Sequence, residues 1–98
     1  MRKFKPTKNQ ERMLRDLGPE YHLDIIDNAP CIVRKLNDNC DIEISGTSLP
    51  KRHRSLFVWR YFPEEHRREI VEKYFDIPDD QMLKVILHRV VEKYQDRA

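Results

Sequence analysis

The spacing of apolar positions changes twice along the chain, from helical to alternating and back, and this sets the predicted elements. Residues 7–17 carry Met13, Leu14 and Leu17 on one helical face. Thr7 is an N-cap and Gln10, three residues on, completes a capping box. Gly18 suits the C′ position and Pro19 stops the helix. Residues 21–27 alternate as a half-buried strand with Tyr21, Leu23 and Ile25 inward, until Asn28-Ala29-Pro30 breaks it.

Residues 31–36 and 40–45 predict a hairpin around Asn37-Asp38-Asn39, residue types that tolerate positive φ. Two registers fit. A two-residue loop sets Lys35 opposite Ile42, Val33 opposite Ile44 and Arg34 opposite Glu43. A three-residue loop sets Leu36 opposite Cys40, Ile32 opposite Ile44 and Lys35 opposite Asp41. Each gives one favourable cross-strand charge pair, so the sequence does not choose.

After a loop at Gly46 to Pro50, residues 55–62 are rich in aromatic and β-branched types and predict a fourth strand, with a buried helix as the alternative. Pro63 then reads as the first residue of a helix whose dipole Glu64 and Glu65 complement. That helix runs to about Phe75 with Ile70, Val71 and Tyr74 inward. A last helix over 79–95 presents Leu83, Ile86, Leu87, Val90, Val91 and Tyr94 on one broad face. Ile70-Val71-Glu72-Lys73-Tyr74 and Val90-Val91-Glu92-Lys93-Tyr94 echo each other, and both are placed at helix ends. The predicted fold is α+β: a small antiparallel sheet of three to four strands with one N-terminal and two C-terminal helices packed on it. Residues 1–6 form a basic arm and 7–98 a single domain.

Length and composition narrow the class. Ninety-eight residues suit one core. Charged residues make up 37%, above the roughly 25% of an ordinary domain, yet the apolar residues are periodic, so the chain folds. Charges at the start without an apolar stretch behind them do not make a signal peptide, and no run approaches the ~20 apolar residues of a membrane span. The expected location is the cytoplasm, without membrane contact. Cys31 and Cys40 lie at unequal distances from the hairpin turn, too far apart to bridge, and predict two free, buried thiols.

Catalytic signatures are absent. With only Gly18 and Gly46 in the chain, no phosphate-cradling glycine loop forms. No GxSxG motif occurs. Cys31, Cys40, His22, His53, His66 and His88 show no close-spaced ligand pair, so no metal or other cofactor is expected. Asp24, Asp41 and Glu43 share a strand face, which gives an enzyme its best residues; a solvated face explains them more simply.

Charge segregation is the informative feature. Residues 1–15 carry a net +5, 16–46 a net −5, 47–68 a net +4 and 69–98 a net −2, so a total of +2 conceals two basic and two acidic blocks. Arg2, Lys3, Lys5 and Lys8 form the first basic cluster, and Lys51, Arg52, His53 and Arg54 the second, with Arg60, Arg67 and Arg68 as extensions. Such clusters contact phosphate. Phe57, Trp59 and Tyr61 follow; their alternation predicts core packing, with stacking on bases as the alternative. The expected function is a small non-catalytic binding or regulatory protein that holds nucleic acid through the arm and the 51–54 loop. A protein-binding adaptor or inhibitor without nucleic-acid contact is the alternative. The apolar face of the last helix also suits a partner or a second copy of the chain, giving a homodimer.

Overall fold

The chain enters its first helix through the capping box that Thr7 and Gln10 predict. A computed structural model describes residues 5–95. Helix α1 spans Lys8–Leu17; the Gln10 amide donates to Thr7 Oγ1 at 3.2 Å, and the Thr7 amide donates to Gln10 Oε1 at 2.9 Å. Five strands follow: β1 (His22–Ile26), β2 (Ala29–Asn37), β3 (Cys40–Ser45), β4 (Arg54–Phe62) and β5 (Arg67–Ile77). They form one antiparallel meander in the order β1-β2-β3-β4-β5. Helix α2 (Asp80–Tyr94) closes the chain, with the Asp79 side chain accepting from the Met82 amide at 2.8 Å.

The fold is therefore α+β with five strands and two helices. The expected helix from Pro63 to Phe75 is a correction. Pro63–Glu65 makes a single 3-10 turn, and His66, at φ 49°, turns the chain back onto β4. β-branched and aromatic residues then pair along β4, from Phe62 opposite Arg67 to Arg54 opposite Ile77. The register shifts between Val58 and Trp59, which face Glu72 and Ile70. The extra residue, Val71, breaks strict alternation, so Ile70, Val71 and Tyr74 mimic a helical face.

The β2–β3 hairpin takes the three-residue alternative, with Ile32 opposite Ile44 and Lys35 opposite Asp41. Near the turn the register slips so that Asn37, not Leu36, faces Cys40; Asn37 Oδ1 accepts from the Asn39 amide at 2.7 Å. The β1–β2 turn places Asp27 and Asn28 at φ 51° and 64°, and β2 starts at once with Ala29. Pro30 is tolerated there because it faces only Ile25 of β1; pairing with β3 begins at Ile32.

Both helices cover one face of the sheet. The core joins Met13 of α1 and Leu83, Leu87, Val90 and Tyr94 of α2 to Ile32, Leu36, Ile42, Ile44, Leu56 and Val58. The apolar face of α2 expected to meet a partner is thus taken up by its own sheet. Tyr21 is buried and Leu23 packs on the core as expected, but Ile25 is 44% exposed, because it lies at the far end of an edge strand beyond the core cluster. Phe57, Trp59 and Tyr61 are also a correction. They alternate with the inward Leu56 and Val58 and so project from the face that no described helix covers. No described helix is long and apolar enough to cross a membrane.

The two echoing pentapeptides adopt different structures, one in β5 and one ending α2. They meet at Glu72, which accepts from Lys93 Nζ at 2.8 Å, from Tyr74 Oη at 2.6 Å and from Tyr94 Oη. Partial burial pushes the Glu72 carboxyl up, but the hydrogen bonds from Lys93, Tyr74 and Tyr94 outweigh it, and the pKa lies below the ordinary value. A depressed carboxyl contributes stability above its unfolded pKa and loses it as pH falls through the folded one. Urea midpoints measured from about pH 5 down to pH 3 should therefore fall less steeply in Glu72→Gln than in wild type. Parallel curves would show that Glu72 is not coupled to folding.

Candidate nucleic-acid interface

The first turn of α1 is fastened to the loop between β3 and β4. Thr7 Oγ1 donates to the Ser48 carbonyl at 2.9 Å, and Asn9 Nδ2 donates to the Thr47 carbonyl at 2.9 Å. Gln10 Nε2 reaches Thr47 Oγ1 at 3.2 Å and Ser48 Oγ at 3.3 Å. Asn9, Gln10 and Thr47 are buried, so the bonds of Asn9 and Gln10 to Thr47 are shielded from water, whereas the Thr7–Ser48 bond is exposed. The chain leading into α1 and the basic loop therefore emerge at the same end of the molecule.

Arg54 organises that loop from beneath. It is 1% exposed, and its guanidinium donates to the carbonyls of Gly46 and Leu49, each at 3.2 Å, of Pro50 at 3.3 Å, and of Arg52. It also ion-pairs with Asp80 at 3.3 Å. Asp80 accepts from Arg12 at 2.8 Å, and Arg12 in turn donates to Asn9 Oδ1 at 2.7 Å. One polar network thus ties the loop, the start of α2 and the first turns of α1. Arg54 was counted in the sequence among surface phosphate contacts; its guanidinium is instead committed to the loop's own carbonyls.

The other expected contacts divide by position. Lys5, Lys8, Lys51 and Arg52 are exposed at the helix–loop end, and none pairs with a carboxylate among the described residues. Lys8, Ser48, Leu49 and Pro50 border a shallow depression between helix and loop. His53 lies 3.9 Å from Asp76. Arg2 and Lys3 fall outside the described residues. Arg60 is not part of this group: it faces Cys40 near the opposite end of β4, about 20 Å along the strand from Arg54. Its guanidinium lies 5.3 Å from the Phe62 ring centre. Arg67 and Arg68 share that far end and are occupied, Arg67 by Glu65 and Glu69, Arg68 by Asp41 at 3.3 Å and by the Trp59 ring at 5.1 Å.

Asp24, Asp41 and Glu43 do share one face. They line a hollow of about 460 Å³ on the uncovered side of the sheet, with Trp59, Val33 and Arg68. Glu43 is buried and accepts from Trp59 Nε1 at 2.8 Å. The described residues contain no group of three or more His, Cys, Asp or Glu placed to hold a metal ion. Cys31 and Cys40 are free and buried. Burial, then the neighbouring Glu43 carboxylate, pushes the Cys31 thiol up to about 11, so it stays protonated and unreactive at neutral pH.

The sequence reading missed the docking pairs Asn9–Thr47 and Gln10–Ser48 altogether. Gln10 had a local signal in the capping box; Thr47 and Ser48 had none. Comparison with known proteins finds no family model, no curated protein and no solved structure that matches the chain.

Proposed function

We propose that the protein is a small, non-catalytic cytoplasmic binding protein that holds nucleic acid by its phosphate backbone at the helix–loop end. The observation that supports this most is the fastening of the first turn of α1, where Lys5 and Lys8 enter, to the 46–53 loop that carries Lys51 and Arg52, although more than forty residues separate the two clusters. These four cations have no acid partner among the described residues, whereas the buried Arg54 and the distal Arg67 and Arg68 are neutralised within the fold. Surface cations without a nearby acid offer point charges to phosphates without specifying bases. Arg60 is left out of this surface, and Arg2 and Lys3, further contacts expected from the sequence, lie outside the described residues.

Fluorescence anisotropy at low salt tests the reading. Labelled single- and double-stranded DNA and RNA of unrelated sequences should bind with similar affinities at micromolar protein. No binding to any of them under those conditions overturns it.

A protein partner, without nucleic-acid contact, is the second reading. It is favoured by the uncovered sheet face, where Phe75 is 62% exposed and packs edge-on against Phe57 with ring centres 5.7 Å apart. Binding that survives Lys51→Ala and Arg52→Ala but is lost in Phe75→Ala selects this second reading.

A further inference from the structure

A second cationic feature lies away from the helix–loop end, in a cleft on the helix-covered side. The cleft has a volume of about 330 Å³, near the lower limit for a small-molecule site. Its walls come from the last turn of α1, from α2 and from the Tyr21–Arg34 corner of the sheet. Arg34 projects from β2 on the same face as Ile32 and Leu36, where a core residue would be expected. Its side chain makes only a long hydrogen bond among the described residues, Nη1 to Tyr21 Oη at 3.4 Å, and the guanidinium lies 5.2 Å from the Tyr21 ring centre. Its Nε is buried without a partner, and no carboxylate pairs with it among the described residues.

Among the described arginines that are buried or half-buried, Arg12 and Arg54 each have a carboxylate and Arg34 has none. A buried Nε–H without an acceptor is costly, and the rest of the half-buried guanidinium faces the cleft with donors to spare. Lys84 of α2 lines the same cleft and also lacks an acid partner among the described residues. One acid lines the cleft, Asp16, which is engaged by Arg12 at 3.2 Å; Glu92, outside the lining, lies 3.2 Å from the lining His88. Leu17, Leu87 and Val91 supply an apolar floor.

We infer that this cleft binds a small organic anion. The anionic group pairs with Arg34, in the forked geometry that a guanidinium offers to carboxylate or phosphate, and with Lys84. The apolar part of the ligand lies on Leu17, Leu87 and Val91. The site is independent of the nucleic-acid reading, because neither Arg34 nor Lys84 belongs to the helix–loop end.

Two-dimensional amide spectra of the whole chain, titrated separately with phenyl phosphate, benzoate and neutral benzyl alcohol, test the inference. At least one anionic probe should give saturable shifts at Leu17, Leu87, Val91 and the Arg34 Nε–H, and which one does so names the acid group. Benzyl alcohol should leave them unmoved. Arg34→Gln should weaken binding about tenfold or more. Lys84→Met, an exposed substitution, should also weaken it and serves if the Arg34 variant does not fold. The inference is overturned if neither anion saturates, if benzyl alcohol binds as well as the anions, or if the folded variants keep full affinity.

Discussion

Arg54→Met should lower stability by about 3 kcal/mol, which for a domain of this length is a fall of roughly 15 °C in melting temperature. The side chain is almost fully buried and holds four loop carbonyls as well as Asp80. Methionine refills much of the volume but donates nothing, so the carbonyls must find water and Asp80 keeps only Arg12. By contrast, Lys51→Ala and Arg52→Ala, on the exposed surface of the same loop, should each stay within about 0.5 kcal/mol of wild type. Thermal and urea unfolding followed by circular dichroism check both statements. A melt of Arg54→Met within a degree or two of wild type would mean that Arg54 does not organise the loop.

Gly46→Ala should cost about 2–4 kcal/mol. Gly46 sits at φ +75°, and an added Cβ would lie 2.5 Å from the His53 carbonyl oxygen. That atom is backbone across the neck of the loop, so it cannot rotate aside, and the Gly46 carbonyl is itself an Arg54 acceptor. Gly18→Ala provides the contrast. Its φ is +108°, but the nearest atom is Glu20 Oε1 at 3.0 Å, the end of a flexible side chain. That variant should lose about 1 kcal/mol. Equal losses at the two glycines would show that the loop neck is not as tight as the backbone geometry requires.

What the sequence revealed depended on how far each feature could be read locally. The α1 capping box and the α2 apolar face are signals within a few residues, and both appear as expected. The β2–β3 register needed information beyond the strands, because each alternative gave one favourable charge pair; the side-chain bond of Asn37 to the Asn39 amide, and a second from Asn37 Nδ2 to the Tyr94 carbonyl at 2.8 Å, lie outside that pattern. Strand β5 was hidden by its bulge. The pair of similar pentapeptides shows the limit plainly: nearly the same five residues are strand when β4 needs an edge partner and helix when the sheet face needs cover.

For the candidate site, the charges were legible and their arrangement was not. Lys51 and Arg52 stand in an obvious basic run. The docking of their loop on the first turn of α1 depends on Asn9 binding Thr47, a contact across 38 positions with no local trace. Arg54 left a fainter signal that was available: it continues the inward alternation of Leu56 and Val58 one step back, and at the start of β4 that register turns its side chain under the loop.

The slope of binding affinity against salt, compared between wild type and the Lys51→Ala/Arg52→Ala double variant, bears most directly on the helix–loop end as a phosphate-binding surface. Lys5, Lys8, Lys51 and Arg52 together predict a wild-type slope of log K on log salt of about −3 or steeper. The double variant should melt like wild type, bind every nucleic-acid sequence more weakly, and have a slope shallower by about 1.4 to 1.8. A folded double variant with the wild-type affinity and the wild-type slope would contradict the assignment of nucleic-acid binding to this surface.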